Sequence, residues 1–583
     1  MKTRVMHLSL LLIIAFAVYA NAFGNRFVWD DYVFIIDEPA IKDMHNVPRF
    51  FSEGTQNLYR PLRTTLYAVT YHFSGFNPIG YHLVGKTLNA LTVIVLYLLM
   101  VELFASHWAA FWGALVFAVH PVHTEKVTLI TSTYDILGDC LWLSAFLCFV
   151  IFRRTGGRGY FASALALFGL GLLAAENAAV LPLLVVLYDV TIGARSRNTR
   201  QWLPFFLILG AYLLLRTHVL GVVARTGGVF APDLTSTLFT MSGVVAHYFR
   251  LLFVPWPLNV VPETVMASAP YPADLYAALA GVGTAIGIAL WSMRKYPAAA
   301  FSFLWFFAVL SPNLNFIPTG TVMAERYLYL PSASLAFFIA LLFMRPYFGA
   351  DAPEAKRRRM ALIAVIVAVA AVFAAVAARR NRDWRDELAL WTSTLAVKPD
   401  SYIAKTNLAA ELWRLEQFDA VEPVLRSAIA SNPGRGDAQL MLGERYLTRG
   451  KYEEAEMLFH QSEAVPHLNS KALLNIAVIR LHQKRHAEAE RILAALLEKY
   501  PDSTLALNNF GYLLHEQGRR GWWVPYLRIH RITGDPAPIV TVAEGFLGEG
   551  DARMAEKFAR IGLSAAPEHK RLRELVSAAA AKK

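Results

Sequence analysis

Met360-Ala361-Leu362-Ile363-Ala364-Val365-Ile366-Val367-Ala368-Val369-Ala370-Ala371-Val372-Phe373-Ala374-Ala375-Val376-Ala377 carries no charge, and Arg379-Arg380-Asn381-Arg382-Asp383 follows one residue later. A membrane-spanning helix takes about 20 apolar residues, with a working range of about 17 to 25. Downstream of Arg379 long apolar runs stop and Glu, Lys and Arg become frequent. The junction divides the chain into a membrane part over 1–378, a linker over 379–400 and a water-soluble part over 401–583.

Composition supports the division. Of 583 residues, 56% are hydrophobic and 17% charged, with mean hydropathy +0.38; soluble domains carry about 25% charged residues. The net charge of +12 belongs to cytoplasmic loops under the positive-inside rule, and no basic–aromatic pattern of nucleic-acid binding accompanies it. Cys140 and Cys148 share one apolar run and form neither a disulfide framework nor a zinc spacing; they read as inert packing residues. Ala20-Asn21-Ala22 after an apolar run resembles a signal-peptide cleavage pattern. A retained anchor is expected instead, because many spans follow and the acidic pair beyond the run must stay near the bilayer.

Upstream candidate spans are Val5–Phe23, Thr87–Phe104, Trp108–Val119, Ile136–Phe152, Tyr160–Ala175, Ala178–Ile192, Trp202–Leu220, Leu238–Val254, Leu275–Met293, Ala298–Leu310 and Leu328–Met344. An inside N-terminus puts Arg153, Arg154, Arg158, Arg195, Arg197 and Arg200 inside. Arg294-Lys295 and Lys356 to Arg359 are also inside if one segment fails to cross. Leu238–Val254, interrupted by His247 and Arg250, is expected to be that segment, leaving about eleven crossings. The long loop 24–86, His120 to Tyr134, Glu176, Val254 to Pro272, Ser311 to Tyr327 and the tail then share the outer face.

In the tail, Pro399 and Pro433 stand 34 residues apart and Pro501 falls two periods later, the period of the tetratricopeptide repeat. Leu442-Gly443, Tyr446, Ala455 and Phe459 fit the repeat pattern, as do Leu408-Ala409 and Ile476-Ala477 in the flanking units. About five repeats are expected over 401–583, stacked as an α-solenoid whose concave face binds protein or peptide.

Chemistry is expected on the outer face. Asp30 and Asp31, directly after the first span, either cap a helix or supply a general base, which must reach the proton it takes. Arg60, in Tyr59-Arg60-Pro61-Leu62-Arg63, presents a donor fork suited to phosphate or makes a surface ion pair. His120, His123 and Glu125, in His120-Pro121-Val122-His123-Thr124-Glu125, have the ligand types of a metal site. A hydrogen-bonded cluster around a sugar or phosphate is the preferred reading, so no metal is expected. Glu325-Arg326 is a structural ion pair or a clamp in which Arg326 holds phosphate. Glu176 either caps a helix N-terminus or belongs to the site. No Walker loop, GxSxG or dinucleotide fingerprint is evident, so a transferase here needs a donor other than a nucleotide sugar; a lipid-linked sugar suits a membrane site.

Asp30-Asp31, Tyr59-Arg60-Pro61-Leu62, Asn77-Pro78 with Tyr81-His82, His120 to Glu125, Glu325-Arg326-Tyr327-Leu328-Tyr329-Leu330-Pro331-Ser332 and the repeat tail occur in this order. The ordered set resembles the transmembrane-and-tetratricopeptide O-mannosyltransferases, part of the GT-C glycosyltransferases. The resemblance implies an all-α, polytopic GT-C-type bundle followed by the solenoid. It implies metal-independent, inverting transfer of mannose or a similar hexose from a polyprenyl-phosphate donor to a protein hydroxyl. Asp30 and Asp31 match the position of the base, and Arg326 that of a donor-phosphate contact. The short tail resembles bacterial members, implying a bacterial inner membrane with site and repeats on the periplasmic face. Two departures stand out: Ser132-Thr133-Tyr134-Asp135 lacks the family's Arg, and Ala175 stands where a Lys is common. Both favour the alternative of a non-catalytic, repeat-bearing membrane scaffold.

Overall fold

The computed structural model describes residues 2–193, 199–221, 233–261, 267–316, 321–344 and 353–582. Arg195 and Arg197 of the expected inner loop lie outside them. The chain forms two compact units, Met1–Ala404 and Lys405–Lys583. Among the described residues the elements are helices, apart from an isolated bridge between Thr55 and Leu58.

The first unit is a multi-pass helical membrane unit. Among its described residues six helices are long and apolar enough to cross a membrane: Pro78–Phe104, Ile130–Thr155, Thr199–Leu220, Ala273–Ser292, Glu325–Phe343 and Glu354–Trp384. His107–Val119, Arg158–Ala174 and Pro297–Asn313 are shorter apolar helices. Leu234–Phe253 is not among the six; it packs on Ala273–Ser292, where the Ser242 hydroxyl reaches the Leu275 carbonyl at 3.4 Å.

Local sequence sets the helix ends. Asn77 accepts from the Ile79 amide at 3.1 Å and Pro78 occupies the first helical turn, where its missing N–H costs nothing. Ser106 caps His107–Val119 through the Ala109 amide, and His120-Pro121 ends that helix in extended backbone. In a bilayer, close packing replaces hydrophobic expulsion as the force between helices. Accordingly Gly113 lets the backbone of Ala333–Phe343 approach: a Cβ there would lie 2.4 Å from the Ala336 carbonyl oxygen. Trp142, Phe146, Phe301, Trp305 and Phe337 fill the same core, and the Trp305 indole donates to the Leu330 carbonyl at 2.9 Å.

After the last long helix, Pro353–Arg380, the chain continues as Asn381–Trp384 and Glu387–Val397 inside the first unit. Buried Asn381 ties this segment to the start of the chain: its amide donates to the Val18 carbonyl and to Asn21, and its oxygen accepts from Thr128. The Asn25 amide donates to its carbonyl at 3.0 Å, and the Arg26 N–H donates to the Arg385 carbonyl at 2.9 Å. The loop after the first helix and the segment after Pro353–Arg380 are thus one hydrogen-bonded layer.

The second unit consists of helix pairs such as Asp437–Thr448 with Tyr452–Glu463 and Asn469–His482 with His486–Lys499, closed by Lys570–Lys582. Gly443 allows the pair to close, since a Cβ would lie 2.6 Å from the Phe459 ring. Where the repeat pattern lapses, Trp522 and Trp523 pack against Phe546, which stacks on Phe558.

Candidate active site

The first loop brings Asp30 and Asp31 into different environments. Asp31 is fully buried, and both its oxygens accept backbone N–H bonds, from Val28 at 3.1 Å and Thr131 at 2.8 Å. Burial pushes its carboxyl up to about 7 against the opposing pull of those bonds. Its geometry is that of a brace, pinning the loop to the helix turn Ile130–Tyr134. Asp30 is partly exposed and its charge acts on Arg326.

Arg326 comes from the other end of the membrane unit. Its backbone N–H donates to Glu125 Oε2 at 3.1 Å and its guanidinium to Glu125 Oε1. That guanidinium lies over the Trp29 ring at 5.7 Å and beside Tyr327 at 5.5 Å. Glu125 is fully buried on the short helix Thr124–Thr128, so it orients Arg326 from below. Glu125 and Arg326 therefore form one cluster over the Trp29 ring, next in sequence to Asp30. The neighbouring Glu325 faces away from it, accepting from the Asn259 amide with Arg380 at 4.0 Å, and lines a 310 Å³ cavity with His247, Arg250 and Lys398.

Arg60 and Glu176 belong to a second cluster. Arg60 donates to Glu176 at 2.5 Å and to both oxygens of Asp135 at 2.8 and 2.9 Å, and Arg63 adds a bond to Asp135 at 2.9 Å. Burial opposes the charge on Arg60; the carboxylates overcome it and raise its pKa. Burial likewise opposes ionisation of Glu176, and Arg60 overcomes it. Two guanidinium groups face two carboxylates here, and the charge of Arg216 also reaches Glu176. Lys126 and Asp139 pair one turn further along, at 3.2 Å.

The histidines serve packing. His120 Nε2 meets the Leu252 carbonyl at 3.0 Å, and His123 Nε2 meets the Ser332 hydroxyl at 2.7 Å. Both are buried, and burial lowers the pKa of each, so both favour the neutral form. Among the described residues no group of three or more His, Cys, Asp or Glu is placed to hold a metal ion.

Several residues of this layer escape sequence reading. Glu387, on Glu387–Val397, accepts from the Trp29 amide at 2.6 Å and from the Trp391 indole. Nothing local marks it. Asp135 and Asp139, by contrast, carry the spacing of one helix face, which places their partners on one side.

Comparison with known proteins bears on this arrangement. A family model described as Dolichyl-phosphate-mannose-protein mannosyltransferase matches residues 61–246, and Tetratricopeptide repeat models match 406–466 and 446–508. Protein O-mannosyl-transferase TMTC3 of Homo sapiens is 21% identical, covering 97% of this chain and 68% of its own. Protein O-mannosyl-transferase Tmtc1 of Drosophila melanogaster is 24% identical, covering 74% of this chain and 62% of its own. The chain thus spans roughly two thirds of the length of these relatives. An Archaeoglobus fulgidus oligosaccharyltransferase structure, with a tethered acceptor peptide, matches at 13% identity over 72% of this chain and 58% of that one, with a TM-score of 0.43. With a mannosyltransferase match in its membrane unit, repeat matches in its tail and relatives aligned across both, the chain is similar in both parts to the transmembrane-and-tetratricopeptide O-mannosyltransferases.

Proposed function

We propose that the chain is an integral-membrane glycosyltransferase that moves mannose or a similar hexose from a polyprenyl-phosphate-linked donor to a hydroxyl of a protein acceptor. The observation that carries the reading is the cluster in which Arg326, braced by buried Glu125, lies over the ring of Trp29, the residue before partly exposed Asp30. An acid placed beside a cation at a membrane-unit surface is what such a transfer uses. Asp30 takes the proton of the acceptor hydroxyl as its oxygen forms a bond to C1 of the sugar. The bond from C1 to the phosphate oxygen breaks, its electron pair leaves on the polyprenyl phosphate, and the anomeric configuration inverts. A phosphate leaving group needs its charge stabilised rather than its oxygen protonated, which is the role of Arg326.

Asp31 orients Asp30 through the loop. Arg60, already neutralised by Asp135 and Glu176, supports the first loop rather than receiving a second phosphate. The short basic loops put this chemistry on the non-cytoplasmic face, periplasmic if the source is a bacterium, and the repeats recruit or present the acceptor.

The test incubates the purified full-length protein in nanodiscs with radiolabelled polyprenyl-phosphate mannose and hydroxyl-bearing acceptor peptides. Labelled peptide and free polyprenyl phosphate are expected, and Asp30→Asn should abolish both. Undiminished transfer by that variant overturns the assignment. The scaffold reading is favoured by the absence of Arg at Thr133 and of Lys at Ala175. It requires instead that partner capture by the full chain be the same with and without Asp30→Asn, with no transfer by either.

A further inference from the structure

We propose that Glu387, 357 residues beyond Asp30, is a positioning residue that holds the base in place; the proposal rests on Asp30 being that base. Trp29, immediately before Asp30, has φ of +51°. The left-handed region is disfavoured for bulky side chains and persists where the surroundings enforce it. Two contacts enforce it here. Glu387 Oε1 accepts the Trp29 N–H at 2.6 Å, fixing the Val28–Trp29 peptide one residue before Asp30. The Trp29 ring is held edge-to-face by Trp391 at 5.8 Å and covered by the Arg326 guanidinium at 5.7 Å. Glu387 is itself fixed, since its second oxygen accepts from the fully buried Trp391 indole.

The carboxylate thus joins three things: the backbone before the base, the aromatic face beneath Arg326, and the helix after the last long span. Asp386 caps that helix through the Ala389 amide at 2.8 Å, so the carboxylate of Glu387 sits in its first turn, where the helix dipole favours negative charge. A carboxylate suits the task because its two oxygens accept two separate N–H groups at once. A glutamine keeps one acceptor oxygen and an alanine keeps none.

Two readouts separate this role from the catalytic one. In the transfer assay, Glu387→Ala should lower kcat by ~10- to 100-fold, the range that misplacement by about 1 Å produces, with KM for the donor little changed. Glu387→Gln should fall between it and the parent. The second readout needs no activity. In a Cys140→Ser/Cys148→Ser background carrying Asp30→Cys, labelling by a membrane-impermeant maleimide should be several-fold faster with Glu387→Ala, and only slightly faster with Glu387→Gln. Equal labelling rates in all three forms overturn the positioning role. Labelling that follows the expected order in a protein without transferase activity leaves the positioning role standing and removes the functional reading above.

Discussion

Ion pairs drawn from the two units of this chain sit in opposite surroundings. In the membrane unit, Arg326 and Glu125 are 18% and 0% exposed, and Lys126 and Asp139 are 4% and 5% exposed. In the repeat unit, Arg571 and Glu544 are 54% and 43% exposed. Water screens the second kind, and such pairs contribute little to stability. The first kind is committed: each charge relies chiefly on its partner, since little water reaches it; beyond Glu125, Arg326 meets the Trp29 and Tyr327 rings. What differs is the cost of losing one member.

The largest expected effect of breaking that contrast comes from Glu125→Ala, which strands the Arg326 guanidinium. Destabilisation of about 3 to 5 kcal/mol is expected for an uncompensated buried charge, read as a lower unfolding temperature of the full chain in detergent. Glu125→Leu with Arg326→Met should recover much of that temperature but none of the transferase activity. An unchanged midpoint in the single variant would show that water reaches the pair.

An effect of at most similar size is expected from pH. Asp31 has an ordinary carboxyl value of 3.8 unfolded and one pushed up to about 7 by burial in the fold. A raised folded value means that the folded protein binds the proton more tightly, so the contribution to stability is fully present below about pH 4. It is lost as pH rises through 7. Comparing unfolding midpoints of the parent and Asp31→Asn from pH 4 to 8 should show the parent losing ground steadily to about pH 7, then running parallel. Parallel behaviour throughout would mean that Asp31 does not titrate in this range. The smallest effect belongs to Glu544→Gln, which should leave the unfolding transition of the repeat unit where it is; a clear drop would show that its surface pairs act as a network.

What the sequence made legible follows the range of each interaction. Apolar runs, the Asn77-Pro78 helix start and the small residue Gly443 facing Phe459 act within one or two helices, so pattern alone reaches them. Asp30, Glu125 and Arg326 were each visible as polar residues near span ends, and the fold gathers them. The histidines show in sequence as polar groups but not by their partners, such as the Leu252 carbonyl 132 residues from His120. Hardest to see was residue 387. A linker was expected over 379–400, since charge returns there and hydropathy falls. Hydropathy reports what a segment avoids, and Glu387 is placed by what it meets, the Trp29 amide.

That layer also sets a clock. Asp30 and the Trp29 amide beside it leave the ribosome well before the carboxylate that accepts from that amide, which emerges some 350 residues later. At about 5 to 20 residues per second, roughly 20 to 70 seconds pass with the first loop made and its support not yet synthesised. A chain broken off during insertion would carry every residue of the Asp30 and Glu125 segments and still lack the Glu387 contact to the Trp29 amide, so this layer closes only once the whole membrane unit is made.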